Sequence, residues 1–302
     1  MRRVILGLWP LAGITSGNVS REQALATIQA GIDAGIDTFD TAYSYGFDGE
    51  SDRLLGEVLS RKQNQHGLLS VIGKVGQRWT SDRRRVVDAS PKQLTADAEV
   101  SLQRIGIDRF DLLMLHAFDP QVQIERSAAA LDALRRRGLA SQVGVCNVNP
   151  VQLDGFAGAC DCQALQCPLN LLQRDSLEPL ILAATEKGIE AHVYWTLMKG
   201  LLAGQIQRAH VFEAGDSRPS YEVFQGQARQ NAHDVIERLK TIADASGTTV
   251  AKLAIGWALS QPGVTAALVG AKSPLQIHET ADALPLPQDV LCEIEQAVST
   301  AS

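Results

Sequence analysis

Short apolar or β-branched runs alternate with longer amphipathic stretches along the chain. Eight runs have the length and composition of buried strands, and they span Val4–Trp9, Ile36–Thr41, Leu69–Val75, Phe110–His116, Gln142–Asn147, Gln163–Cys167, Ile189–Trp195 and Val264–Val269. The stretches between them have the apolar spacing and end signals of helices, and they span Ser20–Ala34, Glu50–Arg61, Pro91–Ile105, Ile124–Arg137, Pro150–Ala159, Leu177–Lys187 and a longer region from about Gln230 to Ser260.

This alternation predicts an α/β protein whose eight parallel strands close into a (β/α)8 barrel, the TIM-barrel architecture. No break in composition divides residues 1–302, so one barrel domain is expected. The segment at about 198–230 is too long for an ordinary connection, and it predicts a lid over a ligand. The chain is expected to end in a helical tail.

Composition and charge exclude several classes of protein. Of the 302 residues, 45% are hydrophobic and 21% are charged, which is typical of an ordinary globular chain. The net charge of −6 argues against a nucleic-acid partner, because such binding needs a basic surface. Apolar runs are too short for a membrane span. Neither nucleic acid nor membrane is therefore expected as a partner.

The five cysteines predict reduced thiols and a cytoplasmic location, because their number is odd and they form no CxxC pair. Two arginines precede an apolar run near the start, as in a short signal peptide, but Pro10 and Gly13 interrupt that run. Cys160 and Cys162 could form half of a metal site. Without a second pair of ligands, packing thiols are favoured, and no metal is predicted.

Four chemically active side chains stand at the carboxyl ends of three consecutive strands, or just after one of them. Asp40 stands near the end of the second strand and Tyr45 follows that strand, while Lys74 and His116 stand at the ends of the next two. In a parallel barrel these ends meet at one mouth, so the four side chains are expected to converge. Each alone is more often a loop cap or surface group. Lys74 and His116, however, end apolar runs, where an ionisable group is costly unless it is paired.

Together these groups predict proton transfer to an oxygen atom. The Tyr45 phenol is a natural donor, but its ordinary pKa of about 10 is too high unless a cation lowers it. Lys74 would supply that cation and Asp40 would orient the ammonium. A neutral His116 would position a carbonyl oxygen beside the phenol. The prediction is carbonyl reduction, if a hydride donor lies nearby.

The motif from Asp40 to Gly46, DTAYSYG, followed by ESDRLLG at Glu50–Gly56, resembles the signature of the aldo-keto reductase family. Further matches extend the resemblance over nearly the whole chain, and they include GVCN at 144–147, GLLAG at 200–204 and VGAKSPLQ at 269–276. The resemblance implies that Asp40, Tyr45, Lys74 and His116 form a catalytic tetrad. It also implies a nicotinamide cofactor and a small aldehyde or ketone substrate.

The same resemblance implies a set of cofactor-binding residues. They are Asn147 and Gln166 at the carboxamide, Tyr194, Trp195 and Leu197 near the nicotinamide ring, Gly200 at the pyrophosphate, and Gly270, Ala271, Lys272, Ser273, Gln276 and Glu279 at the adenosine end. Lys272 and Ser273 favour NADP(H), because they fit a 2′-phosphate. Gln276 replaces an arginine of many relatives, so NAD(H) stays open.

Two departures from the family pattern affect the expected site. Cys146 stands where a serine is usual, and Trp195 could crowd the cofactor. Trp9, Trp79 and Phe118 are candidate walls of a pocket for an apolar carbonyl compound, although aromatic loop residues are as often packing. The run Arg83-Arg84-Arg85 is expected in a solvated loop. The oligomeric state cannot be read from the pattern.

Two other functions remain open from the sequence. One is a low-turnover NADP(H)-binding redox sensor or regulatory subunit, for which Cys146 and Trp195 leave room. The other is a metal-dependent barrel hydrolase or aldolase, which needs clustered histidine and carboxylate ligands. His192 is the one further strand-end histidine that could join His116.

Overall fold

The computed structural model describes residues 3–14, 19–61 and 69–299. These residues form strands β1 (Val4–Gly7), β2 (Thr38–Asp40), β3 (Ser70–Val75), β4 (Gln77–Trp79), β5 (Arg85–Val87), β6 (Phe110–Leu115), β7 (Ala140–Cys146), β8 (Cys162–Pro168), β9 (Glu190–Tyr194) and β10 (Val264–Gly270). All of them except β4 and β5 pair in parallel and close a barrel, in the order β1, β2, β3, β6, β7, β8, β9, β10 and back to β1. The predicted (β/α)8 barrel is confirmed.

Helices connect the barrel strands, and two more follow the last strand. They are α1 (Arg21–Asp33), α2 (Glu50–Ser60), α3 (Pro91–Ile105), α4 (Ile124–Arg136), α5 (Pro150–Ala159), α6 (Ala183–Glu186), α7 (Gly226–Ala245), α8 (Val250–Ser260), α9 (Pro274–Thr280) and α10 (Gln288–Ser299). A π-helical turn at Leu177–Leu182 leads into α6. Side chains fix several starts: Ser20, for example, accepts a hydrogen bond from the Gln23 amide at the first turn of α1.

The predicted helical region from about 230 to 260 consists of two helices. Gly247 separates α7 from α8 and has a φ of +61°, a left-handed conformation that an α-helix cannot continue through. The first of the two helices begins at Gly226, before the predicted position. The long segment that precedes it contains short 3-10 turns at Met198–Ala203, Arg218–Ser220 and Glu222–Phe224.

Alternation along the strands separates the inside of the barrel from its outer layer. The inside contains one small cluster of buried apolar residues, namely Ile5, Ile72, Leu112, Met114, Ala164, Ala266 and Leu268. The neighbours of these residues along the strands pack outward in the large core beneath the helices. Since side chains two positions apart share a face, Lys74, His116 and Gln166 lie on the inner face, above that cluster. The polar strand ends therefore face one another across the mouth.

A two-stranded antiparallel hairpin, β4–β5, follows β3 and stands apart from the barrel sheet. Its register places Trp79 opposite Arg85. The sequence prediction of a solvated loop for Arg83-Arg84-Arg85 was therefore wrong for Arg85, which belongs to a strand. Each hairpin strand is only three residues long and mixes charged with apolar residues, so neither has the apolar run of a barrel strand.

Among the residues that the structure describes, no helix is long and apolar enough to cross a membrane.

Candidate active site

A buried ion pair forms the floor of the barrel mouth. The Lys74 ammonium donates to Oδ1 of Asp40 and, at 3.2 Å, to the backbone oxygen of Thr41. Only 2% of the Lys74 side chain and 1% of the Asp40 side chain are exposed. Burial by itself would lower the pKa of Lys74, but the Asp40 carboxylate outweighs it and holds that pKa above its ordinary value. Lys74 is therefore a permanent cation.

Tyr45 lies directly against this cation. The Lys74 nitrogen is 4.9 Å from the centre of the Tyr45 ring. Burial nevertheless raises the pKa of Tyr45 to about 12, and the charge of Lys74 only partly opposes the rise. The sequence anticipated the direction of the lysine effect but not the larger desolvation. In the cofactor-free protein the phenol is protonated at neutral pH, as a proton donor requires.

His116 completes the group of four residues that the sequence placed at the mouth. Its ring centre is 5.6 Å from that of Tyr45, with the rings edge to face. Burial lowers the pKa of His116 well below its ordinary value, and the charges of Lys74 and Arg85 lower it further. The imidazole is therefore neutral at neutral pH and keeps one N–H to donate.

Gln166 lies next to the ion pair, at the place expected for a carboxamide partner. Its Nε2 donates to Oδ2 of Asp40 at 2.8 Å, while its buried Oε1 has no partner in the described structure. A buried amide oxygen without a donor is costly. It fits the amide N–H of a nicotinamide carboxamide.

Asn147 and Tyr194 are already joined to each other. The Tyr194 hydroxyl donates to Oδ1 of Asn147, and Nδ2 of Asn147 donates to the backbone oxygen of His116 at 2.8 Å. Nδ2 also lies 3.1 Å from the sulfur of Cys146. Burial raises the pKa of Tyr194, so its hydroxyl is a neutral donor. The two predicted nicotinamide residues thus stand together on the β7–β9 side of the mouth.

The segment after β9 begins with an aromatic group. Trp195 packs edge to face on Tyr194 and on Tyr221, with ring centres 5.4 and 5.6 Å apart. The ammonium of Lys199 lies over both Trp195 and Tyr221, at 4.4 and 4.3 Å. Of the other predicted residues here, Leu197 packs against the main core. Gly200 has a φ of +92°, which a residue with a side chain rarely adopts.

The residues predicted for the adenosine end lie together after β10, but several have local structural tasks. Ala271 is buried in the main core, and a Cβ on Gly270 would meet Pro10 at 2.6 Å. Ser273 caps α9, and the Gln276 side chain accepts from the Lys272 amide at 2.7 Å. Glu279 is half-buried on α9.

Charged residues of the long segment at about 198–230 affect the pKa of Lys272. Burial lowers the pKa of Lys272, the charge of Arg218 lowers it further, and Asp216 raises it. Asp216 and Arg218 also form an ion pair with each other. The tip of the segment and the end of β10 therefore bring two cations to the same part of the surface.

Two of the three candidate pocket residues, Trp9 and Trp79, share Arg85 as a neighbour. Trp9 packs on Tyr45, with ring centres 5.0 Å apart, and Trp79 donates from Nε1 to the backbone oxygen of Ser44 at 2.9 Å. Phe118 is half-buried and packs against the main core. Sequence reasoning missed Arg85, whose guanidinium lies between Trp9 and Trp79. The available signal was the short β-prone run Arg85–Val87 opposite Gln77–Trp79.

The described residues contain no group of three or more histidine, cysteine or acidic side chains that could hold a metal ion. His192, the second histidine considered for a metal centre, contacts Glu190 at 3.1 Å. It lies two residues below Tyr194 on the inner face of β9, away from the strand ends. All five cysteines are free thiols.

The carboxyl ends of the parallel strands bring together a buried lysine–aspartate pair, a phenol and a neutral imidazole. This combination has the chemistry of a barrel oxidoreductase. Comparison with known proteins gives the family: the profile of the Aldo/keto reductase family matches residues 3–299. The chain belongs to the aldo/keto reductase family.

Relatives and a solved structure agree with this assignment. The chain is 30% identical over 277 residues to the aldo-keto reductase YhdN of Bacillus subtilis, covering 91% of this chain and 83% of the relative. It is 28% identical over 304 residues to the NADH-specific methylglyoxal reductase of Escherichia coli, covering 94% and 90% of the two chains. The structure of the glycerol dehydrogenase AKR11B4 from Gluconobacter oxydans superposes with a TM-score of 0.91 at 28% identity, covering 99% and 92%. The protein is an oxidoreductase for the NAD(P)H-dependent reduction of carbonyl groups.

Proposed function

We propose that this protein reduces an aldehyde or ketone to an alcohol with Tyr45 as proton donor and NADP(H) as the preferred cofactor. The observation that carries the proposal is the contact of a protonated Tyr45 with the buried Lys74–Asp40 pair and with a neutral His116. Loss of NADPH absorbance in the presence of a panel of aldehydes tests it. A folded, NADPH-binding protein with no turnover of any of them would contradict it.

Each of the four residues has a distinct task in this reaction. The His116 imidazole donates its N–H to the carbonyl oxygen and holds it beside the Tyr45 hydroxyl. As negative charge develops on that oxygen, the phenol gives up its proton, and the adjacent Lys74 stabilises the phenolate that remains. Asp40 holds the ammonium in place. When bound, the cofactor supplies the hydride that the carbonyl carbon receives.

The residues on the β7–β9 side of the mouth, opposite Trp9, fit a nicotinamide cofactor. The buried Gln166 Oε1, which has no partner in the described structure, would accept from the carboxamide, and Asn147 and Tyr194 border the same place. In this fit Gln166 is held by Asp40. The same carboxylate therefore orients both the Lys74 ammonium beside the phenol and the Gln166 amide on the cofactor side.

NADP(H) is favoured by the two cations at the adenosine end. Lys272 and Arg218 come from different segments, yet the charge of one lowers the pKa of the other. A dianionic 2′-phosphate would relieve that repulsion. The NADH-specific E. coli relative makes the choice of cofactor a necessary measurement.

The substitution Lys272→Gln is expected to raise the KM for NADPH by about tenfold and to leave the KM for NADH within about twofold, because one charge-assisted hydrogen bond to phosphate is lost. Lys187→Gln is the control and should change neither KM. It removes a lysine that pairs with Asp154 and lies just before the amino end of β9. Equal changes for the two cofactors in the Lys272 variant would contradict a 2′-phosphate site.

The pH dependence of the reaction follows from the pKa of Tyr45. Reduction needs the protonated phenol, and a pKa of about 12 keeps it protonated far above neutrality. The lowered pKa of His116 keeps the imidazole neutral over the same range. The kcat/KM for a neutral aldehyde is therefore expected to be constant between about pH 6 and pH 9 and to fall only at higher pH. A falling limb centred near pH 7 would show that the cofactor lowers the pKa of Tyr45 by several units.

The state of the cysteines bears on the location of the protein. Five free thiols, three of them buried, support a reducing compartment and hence the cytoplasm.

A further inference from the structure

Arg85 is held beside the candidate proton donor by the β4–β5 hairpin. Its guanidinium carbon lies 5.1 Å from the centre of the Trp9 ring and 5.9 Å from that of Trp79. Trp79 is fixed by its hydrogen bond to the backbone of Ser44, the residue before Tyr45. The hairpin is therefore tied to the loop that carries the phenol, and Arg85 is tied to the hairpin.

Within the described part of the chain, Arg85 has no acidic partner, unlike two other arginines on this hairpin. Arg84 pairs with Asp82, and Arg78 lies 3.9 Å from Asp97. In the ranges that the structure describes, no carboxylate forms an ion pair with Arg85. The one polar contact of its guanidinium there is Nη2 with the Ser44 hydroxyl, at 3.4 Å.

The packing of Arg85 leaves its hydrogen-bond donors available. Its contacts with the Trp9 and Trp79 rings are not hydrogen bonds, and a planar guanidinium carries its N–H donors around its edge. The residue is exposed at the mouth. A carboxylate arriving there can accept two parallel hydrogen bonds from the guanidinium.

The four candidate catalytic residues carry no net charge. Asp40 and Lys74 neutralise each other, and Tyr45 and His116 are both uncharged at neutral pH. The Arg85 charge reaches His116, whose pKa it lowers. An anionic group on the substrate would therefore be attracted by the positive charge of Arg85 beside these residues.

We propose that Arg85 determines substrate specificity by binding a carboxylate of the substrate, and that the protein prefers aldehydes that carry this carboxylate a few carbons from the carbonyl. The Trp9 ring contacts both Tyr45 and Arg85, so a short aliphatic chain lying across it joins the two ends. The proposal rests on the proposed function, because Tyr45 fixes the position of the carbonyl. It replaces the expected apolar substrate by one with an apolar middle and an anionic end.

A matched pair of substrates tests this inference: 4-oxobutanoate, which carries the carboxylate, and butanal, which lacks it. The wild-type kcat/KM is expected to be at least about tenfold higher for 4-oxobutanoate. Arg85→Gln should lower that value about 30-fold, mainly through KM, and change the value for butanal by less than about threefold. Arg85→Lys, which keeps the positive charge but not the planar pair of N–H donors, should recover part of the lost kcat/KM. Arg84→Gln, which neutralises the neighbouring exposed arginine, should change kcat/KM for neither substrate.

The outcomes separate this inference from the proposed function. If butanal is reduced but the Arg85 variants treat both aldehydes as the wild type does, the inference fails and the function stands. If neither aldehyde is reduced, the proposed function fails, and calorimetric titration of 4-hydroxybutanoate into protein saturated with NADP⁺ decides on Arg85. The Kd is expected to rise at least about tenfold in Arg85→Gln and to stay unchanged in Arg84→Gln. Equal Kd values in wild type and Arg85→Gln would overturn the inference.

Discussion

Replacing Tyr45 by phenylalanine is expected to lower kcat/KM for aldehyde reduction by about 10³-fold, within the range of 10²–10⁴ that a positioned general acid contributes. The ring would keep its contacts with Trp9, His116 and the Lys74 ammonium. The fall in kcat/KM therefore measures the contribution of the phenol proton alone. The Kd for NADPH, measured by fluorescence titration, should stay within about twofold of the wild type.

Tyr43→Phe is the matched control for this variant, because it also removes a phenol hydroxyl, two residues before Tyr45. The ring of Tyr43 packs on Arg104. It should retain activity within about threefold. Full activity in Tyr45→Phe would require another proton donor. Equal losses in the two variants would point to a disturbed loop.

Replacing Lys74 by methionine is expected to lower the free energy of unfolding by about 3–5 kcal/mol, the usual cost of leaving one member of a buried ion pair without its partner. The Asp40 carboxylate would remain buried, with the Gln166 amide as its main donor. Urea unfolding monitored by fluorescence measures the effect. Aldehyde reduction should fall as well, because nothing would then stabilise the Tyr45 phenolate.

A double variant separates the buried charge from lost packing. In Lys74→Met with Asp40→Asn, the remaining partner is a neutral amide, so at least about 2 kcal/mol of the lost stability should return. Activity should not return with it. A double variant as unstable as Lys74→Met alone would mean that the lysine stabilises the fold through packing and the Thr41 contact.

The barrel could be predicted from the sequence because each of its strands is an apolar run with a helix on either side. Asp40, Lys74 and His116 were found for the same reason: an ionisable residue that ends such a run stands out against it. Their convergence follows from parallel strand order alone. Their proposed roles await the variants above.

Other features depend on distances that no local pattern contains. The pKa of Tyr45 is set mainly by burial, which depends on how closely Trp9 and His116 pack around the ring. Gln276 was assigned to the cofactor, yet its side chain is bonded to the Lys272 amide in the folded chain. Arg85 was read as a solvated charge, because its two aromatic neighbours are distant from it in sequence or separated by a turn.

The β4–β5 hairpin is hydrogen-bonded as a sheet of its own rather than as part of the barrel ladder. It also follows β3, which stands opposite β9 around the ring, and β9 carries Tyr194 on the cofactor side. An evolving lineage can therefore lengthen, shorten or replace this hairpin without changing the closure of the barrel or the residues around the nicotinamide. With the roles proposed above, substrate range and hydride chemistry belong to separate segments of the chain, so that one can diversify while the other is conserved.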